Sequence, residues 1–175
     1  MILTGPEIVR RRALGEITLE PFEPRFVNPC SYNYRLAPVL RVHESAVVDV
    51  EGAHALSEFT IPEEGIVLEP GRLYLGTTVE EIGAAALVPC LIGRSSLGRL
   101  GVWVQLAADL GNTGARHHWT LEIVCAQPIR IYADMVIGQV SFWTTAGQYM
   151  PYNGHFGRLD QATAPPPGLL SPLAV

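Results

Sequence analysis

Residues 119–126 read WTLEIVCA, and a period of two places Trp119, Leu121, Ile123 and Cys125 on one face and Thr120, Glu122 and Val124 on the other. That is a β-strand. Seven further short runs rich in Val, Ile, Leu, Thr and aromatic residues share its character: YNYRL (32–36), GIVLEP (65–70), RLYLGTTV (72–79), AALVPCLI (85–92), GVWVQLA (101–107), PIRIY (128–132) and VIGQVSFW (136–143). Prolines and glycines recur between them from Ile17 onward, the punctuation that closes strands and opens turns. Helical character is confined to the start, where TGPEIVRRRALG (4–15) reads as one short helix with a Thr4/Glu7 capping box and Gly15 beyond its last turn. Many strands without intervening helices predict an all-β sandwich or barrel.

The chain has 175 residues, 48% of them hydrophobic, enough for one domain with a proper core and too few for two. Residues 1–160 are expected to form that domain. Residues 161–175 are Pro-rich without alternation and read as a loose or polyproline-like tail that orders on binding a ligand or a neighbouring subunit. With a net charge of −5 and no basic run, the chain is not expected to bind a nucleic acid polymer. The three cysteines, Cys30, Cys90 and Cys125, are odd in number and far apart, which predicts reduced, buried thiols in a cytoplasmic protein. No apolar run approaches the ~18 residues that a membrane helix needs, so no membrane association is expected. All 12 basic side chains are arginine, which excludes Schiff-base chemistry and a P-loop lysine. Any phosphate must be held by arginine, hydroxyls and backbone.

Two stretches carry candidate chemistry. In GRSSLGRLGVWVQ (93–105), a strand entered from a glycine turn would let Arg94 and Ser96 present a planar cation and a hydroxyl to one anion. The alternative is an ordinary surface loop with arginines. In WTLEIVCA, Glu122 is a carboxylate inside an apolar strand, where an unpaired charge costs several kcal/mol. It is either an edge-strand glutamate, in water or in a structural ion pair, or a partly desolvated general base whose resting charge a nearby arginine sets. His117 and His118 would point to opposite faces of a strand and cannot easily share a metal, so they read as loop histidines. The H-x-E and P-C-x-x-C signatures of zinc-dependent nucleobase deaminases are absent, as are a G-x-S-x-G elbow and a dinucleotide fingerprint.

Taken in order, SYNYRLA (31–37), GRSSLGRLGV (93–102), AADLGNTGARHHWTLE (107–122), ADMVIGQVSFW (133–143) and YNGHF (152–156) resemble the dCTP deaminase family of the trimeric dUTPase-like superfamily. The resemblance implies a distorted β-barrel with a short N-terminal helix, assembled as a homotrimer with sites between subunits and a tail that closes over the nucleotide. It implies hydrolytic removal of the cytosine 4-amino group of dCTP without zinc, giving dUTP and ammonia, with magnesium accompanying the triphosphate and dTTP as a feedback ligand. Glu122 matches the catalytic glutamate that activates water and shuttles protons. Arg99 and Ser95 match the residues that orient the water, and Ala108 the position whose carbonyl holds it. Arg94, Ser96, Thr120, Leu121, Gln139, Tyr152 and His155 fall among the triphosphate, base and tail contacts.

The match has departures. The family's I-D-P-G-W-x-G loop is replaced here by the segment LGNTGARHH (110–118), so Asn112 stands in place of an aspartate that contacts the sugar 3′-hydroxyl. An amide still hydrogen-bonds a hydroxyl but cannot be a base. This counts against the alternative of a dUTP pyrophosphatase or a bifunctional enzyme. In the tail, His155 replaces a phosphate-reaching lysine and Leu159 a glutamine, with Arg158 available in compensation. A related cytosine nucleotide (CTP, dCMP or CMP) is therefore a second alternative, and a non-catalytic nucleotide-binding homologue a third. Asn33, where relatives carry aspartate, reads as structural support.

Overall fold

The computed structural model describes residues 1–104, 108–158 and 160–167, with the side chains of His155 and Arg158 outside the description. The first element is α1 (Gly5–Ala13), preceded by Thr4 in extended conformation, carrying a proline in its first turn and followed by Gly15 at φ +75°. The expected capping box does not form. Thr4 makes no side-chain cap bond, because Glu7 is drawn to Arg10 and Arg11 at 2.7–2.8 Å. Charge-assisted bonds outcompete a neutral cap here. Ile8 fixes the helix by burying completely in the core.

Twelve strands follow: β1 (Ile17–Glu20), β2 (Val27–Asn28), β3 (Ser31–Arg35), β4 (Val39–His43), β5 (Leu56–Thr60), β6 (Ile66–Leu68), β7 (Tyr74–Ala84), β8 (Leu87–Gly93), β9 (Val102–Val104), β10 (Arg116–Cys125), β11 (Ile129–Ile131) and β12 (Val136–Thr144). They form a sheet in the order β5-β4-β7-β10-β9 with β1 also on β7, a second sheet β2-β3-β12-β8, and a two-stranded ribbon β11-β6. All the strand pairs are antiparallel. One continuous core joins the sheets: Tyr32 and Tyr34 from β3 and Val140 and Phe142 from β12 meet Leu40, Ile82, Leu121 and Ile123 from the larger sheet.

The fold is all-β with one substantial helix, as expected, but among the described residues no hydrogen-bonded path of strands closes into a barrel. Short helical turns also break the expectation of a helix-free chain after Ile17: Pro24–Phe26, α2 (Ser95–Gly98) and His155–Arg158. Gly138 has a specific duty in the smaller sheet, since a Cβ there would lie 2.1 Å from the Tyr34 ring. The ring crosses that gap and donates its hydroxyl to the Ile92 carbonyl at 3.1 Å, tying β3 to β8 beneath β12. Burial pushes this phenol above its ordinary range. Asn33 is buried and accepts from Asn28 Nδ2 at 2.9 Å, a structural role.

None of the described helices is long and apolar enough to cross a membrane. The cysteines are all free, but Cys30 is exposed, contrary to the expected burial, because it sits in the turn between β2 and β3. Of the tail expected to be loose, the described residues 161–167 pack against β4 instead, with Ala162 buried and its carbonyl bound by Arg41 at 2.5 Å.

Candidate functional site

One wall of the candidate cavity is β10, and its shape comes from an irregularity in its pairing with β7. His117 and His118 pair with Ile82 and Glu81, then Thr120 and Glu122 pair with Thr77 and Leu75, so Trp119 faces three β7 residues, Thr78 to Glu80. The bulge is stitched internally. The buried Thr78 hydroxyl donates to the Glu80 carbonyl at 2.7 Å and accepts the Trp119 N–H at 3.0 Å. The fully buried Glu80 carboxylate accepts from the Arg35 backbone N–H and Nε, both at 2.8 Å.

Trp119, only partly buried against the core, lines the cavity together with its neighbour Thr120 and with Glu122 and His117. The His117 and Trp119 rings stack at 4.3 Å, and the indole Nε1 donates to the Ile82 carbonyl at 2.9 Å. His117 and His118 are therefore strand residues, not loop residues. Nor is Glu122 on an edge: β10 lies between β7 and β9, and Glu122 is half-buried. Leu121, expected among the substrate contacts, buries its side chain completely in the core and leaves only main chain toward a ligand.

Residues 108–115 build the facing side. They run along β8, with Leu91 N–H donating to Asp109 O at 2.8 Å and Gly111 N–H to Pro89 O at 2.7 Å. A Cβ on Gly111 would lie 2.5 Å from the Trp119 ring and 2.7 Å from Pro89, so only glycine lets this segment approach so closely. Asn112 opens the turn that follows, and the Thr113 carbonyl accepts the Tyr152 N–H at 2.9 Å, bringing Tyr152 to the rim. Behind this wall burial, followed by the Asp109 charge, pushes the Cys90 thiol up. The completed cavity, about 430 Å³, is lined by Ala108, Asn112, Thr120, Glu122 and Tyr152 as expected, and by Leu110, Gly111, Ala115, His117, Trp119, Phe156, Thr163 and Pro165 in addition. Trp119 and His117 were hidden by the bulge, and Thr163 and Pro165 by a tail whose composition carries no strand or helix signal.

Arg94, Ser95, Ser96, Arg99 and Gln139 do not line this cavity. The expected strand entry at Arg94 is instead the helical turn α2, anchored by Leu97. Arg94 is half-buried, and Ser95, Ser96 and Arg99 are exposed. Gln139 lies on β12 between Asn33 and Ile92 and accepts the Ser31 hydroxyl at 2.7 Å. The predicted residues thus fall into two sets, an acid-bearing cavity and an arginine-and-serine knuckle. Of the remaining predictions, the side chains of His155 and Arg158, and Leu159 as a whole, lie outside the described residues. Among the described residues no three His, Cys, Asp or Glu side chains form a group able to hold a metal.

Comparison with known proteins supplies a family. The dCTP deaminase-like family model matches residues 2–145. A protein of Hathewaya histolytica named "dCTP deaminase, dUMP-forming" is 45% identical over 170 residues, 97% of each chain. A Clostridium acetobutylicum protein of the same name is 44% identical over 87% of this chain and 88% of its own. A Rhodopirellula baltica protein named "dCTP deaminase" is 45% identical over 84% of this chain and 74% of its own. Among solved structures, that of 2′-deoxycytidine 5′-triphosphate deaminase from Agrobacterium tumefaciens superposes with a TM-score of 0.66 at 21% identity, covering 82% of this chain. The present chain spans 48% of that one, and the likeness shows a shared fold.

Proposed function

Because the chain belongs to the dCTP deaminase-like family, we propose that it hydrolyses the 4-amino group of dCTP, with Glu122 as general base. The observation that carries this reading is the placement of Glu122, Thr120 and Asn112 on one cavity of about 430 Å³ walled by Trp119, Tyr152 and Phe156, a size and lining suited to a nucleoside. Water is a poor nucleophile at neutral pH. A half-buried carboxylate takes its proton as oxygen attacks C4, then returns protons to N3 and to the departing amine. The family pattern assigns orientation of that water to Ser95 and Arg99 and its support to the Ala108 carbonyl. No zinc enters this scheme.

The described lining of the cavity contains no arginine. The triphosphate, carried with magnesium as part of the substrate, is accordingly assigned to Arg94, Ser96 and Gln139 of a neighbouring copy in a homotrimer, with Tyr152 and His155 from the tail. dTTP is proposed to compete for the same site. The leaving nucleotide is proposed to be dUTP, because Asn112 cannot activate a second water against the phosphate chain. Formation of dUMP is a second reading, favoured by the printed names of the Hathewaya and Clostridium relatives.

The test is ammonia release and product chromatography from protein supplied separately with dCTP, CTP, dCMP, CMP and dUTP, each with magnesium. Turnover of dCTP above the others supports the reading, and Glu122→Gln is expected to lower kcat by at least about a hundredfold. Full activity in Glu122→Gln would overturn the mechanism. No turnover of any cytosine nucleotide would favour a binding-only homologue, and dUMP with pyrophosphate would establish the second reading.

A further inference from the structure

We propose that Thr163 is a substrate-contacting residue, a hydroxyl carried into the cavity by the chain's own C-terminal segment and positioned there by Arg41; this rests on the reading of the cavity as a cytosine nucleotide site. Among the described residues, two hydroxyl oxygens, Thr120 Oγ1 and Thr163 Oγ1, are buried without a hydrogen-bond partner, and both residues line the same cavity. A buried polar atom without a partner carries its full desolvation cost, so two of them on one cavity mark a place where a ligand supplies what the protein does not. They come from unrelated segments, β10 and the tail.

The chemistry of the pair narrows the ligand edge it meets. A hydroxyl donates once and accepts twice, which suits a ring nitrogen, a base carbonyl, an exocyclic amine or a sugar hydroxyl. A hydroxyl also donates to phosphate, but the described lining of this cavity carries no arginine to neutralise one. Thr120 and Thr163 therefore read the nucleoside part of the substrate.

Thr163 owes its place to Arg41. On β4 this guanidinium donates Nη1 to the Ala162 carbonyl at 2.5 Å and Nη2 to Gln161 Oε1 at 2.6 Å. Nε and Nη2 meet Glu58 Oε2 at 2.9 and 2.6 Å, which holds the planar fork in position. Arg41 does not line the cavity and fixes the two residues that precede Thr163. It is a positioning residue, and a lysine, with no planar fork, cannot reproduce all of these bonds.

The experiment measures kcat and KM for dCTP with magnesium, together with the ligand-free Tm, for the wild type, Thr163→Val, Thr163→Ser, Arg41→Lys and the Arg41→Lys/Thr163→Val pair. Thr163→Val is expected to raise KM about tenfold, the loss of one hydrogen bond. The ligand-free Tm is expected not to fall, because valine keeps the volume and removes a hydroxyl that had no partner. Thr163→Ser restores KM, and the double variant loses little beyond Arg41→Lys, since the hydroxyl is already displaced. An unchanged KM in Thr163→Val, or a KM change accompanied by a lowered ligand-free Tm, overturns the proposal. A wild type that neither deaminates nor binds dCTP overturns the underlying reading instead, before any variant is compared.

Discussion

Cys90 shows how a single side chain reports on the wall behind the cavity. It lies on β8 opposite Leu110, its thiol pushed up first by burial and then by the Asp109 carboxylate 3.8 Å from Sγ. A raised value leaves less thiolate at any given pH, so reactivity grows only at higher pH than for a free thiol. Timed alkylation at pH 8 followed by peptide mass mapping is expected to label the exposed Cys30 first, with Cys90 and the buried Cys125 lagging. Simultaneous labelling of Cys90 and Cys30 would show that the 108–111 segment does not cover it. Asn112 permits a second test: Asn112→Asp introduces the carboxylate that the amide cannot supply, and pyrophosphate is expected to appear among the products of dCTP. At this scale the sequence is unevenly readable. Glu122 stood out because a charge inside an apolar strand needs a reason, whereas the part Trp119 takes in the cavity did not, because the two extra residues opposite it belong to β7 and leave no trace in the 119–126 alternation.

The β7–β10 pair is the element on which the site depends, and Thr78 is its fastening. Its hydroxyl satisfies both the Trp119 N–H and the Glu80 carbonyl, so Thr78→Val strands two buried backbone groups and is expected to cost about 1–3 kcal/mol in urea unfolding. Thr78→Ser keeps the hydroxyl and should recover most of that loss. An unchanged midpoint in Thr78→Val would mean the bulge holds without it. Helix α1 gives a pH test of opposite character. Arg10 and Arg11 hold the partly exposed Glu7 carboxyl at about 2, below its ordinary 4.5. A depressed carboxylate contributes stability above its unfolded value and loses that contribution as pH falls through the folded one. The difference in Tm between wild type and Glu7→Gln, small because the pair is solvent-screened, should therefore persist at pH 5 and vanish near pH 2. Elements were legible where apolar runs were bounded by glycine or proline. β1, β4 and β5 escaped notice because ITLE, VLRVH and LSEFT are short and interrupted by charge, and only pairing with β7 and with one another makes them strands.

Across the whole molecule, the order of motifs was the most informative signal, since no single piece of GRSSLGRLGV, LE or IGQ specifies a family while their succession does. What that succession could not reveal was how one chain distributes them. Glu122 faces a cavity without a described arginine, and Arg99 stands exposed at the C-terminal end of α2, just beyond Gly98 and outside that cavity. If the chain assembles as the proposed homotrimer, each knuckle completes a neighbour's cavity. The consequence is complementation. Glu122→Gln and Arg99→Ala homotrimers should each be inactive. When equal amounts are unfolded and reassembled together, about one site in four pairs an intact Glu122 with an intact Arg99, and that share of wild-type ammonia release should return. Sedimentation of the mixture verifies that trimers have formed. Trimers without recovered activity would show that both sets serve a site within one chain, and a monomeric wild type that retains full turnover would lead to the same conclusion.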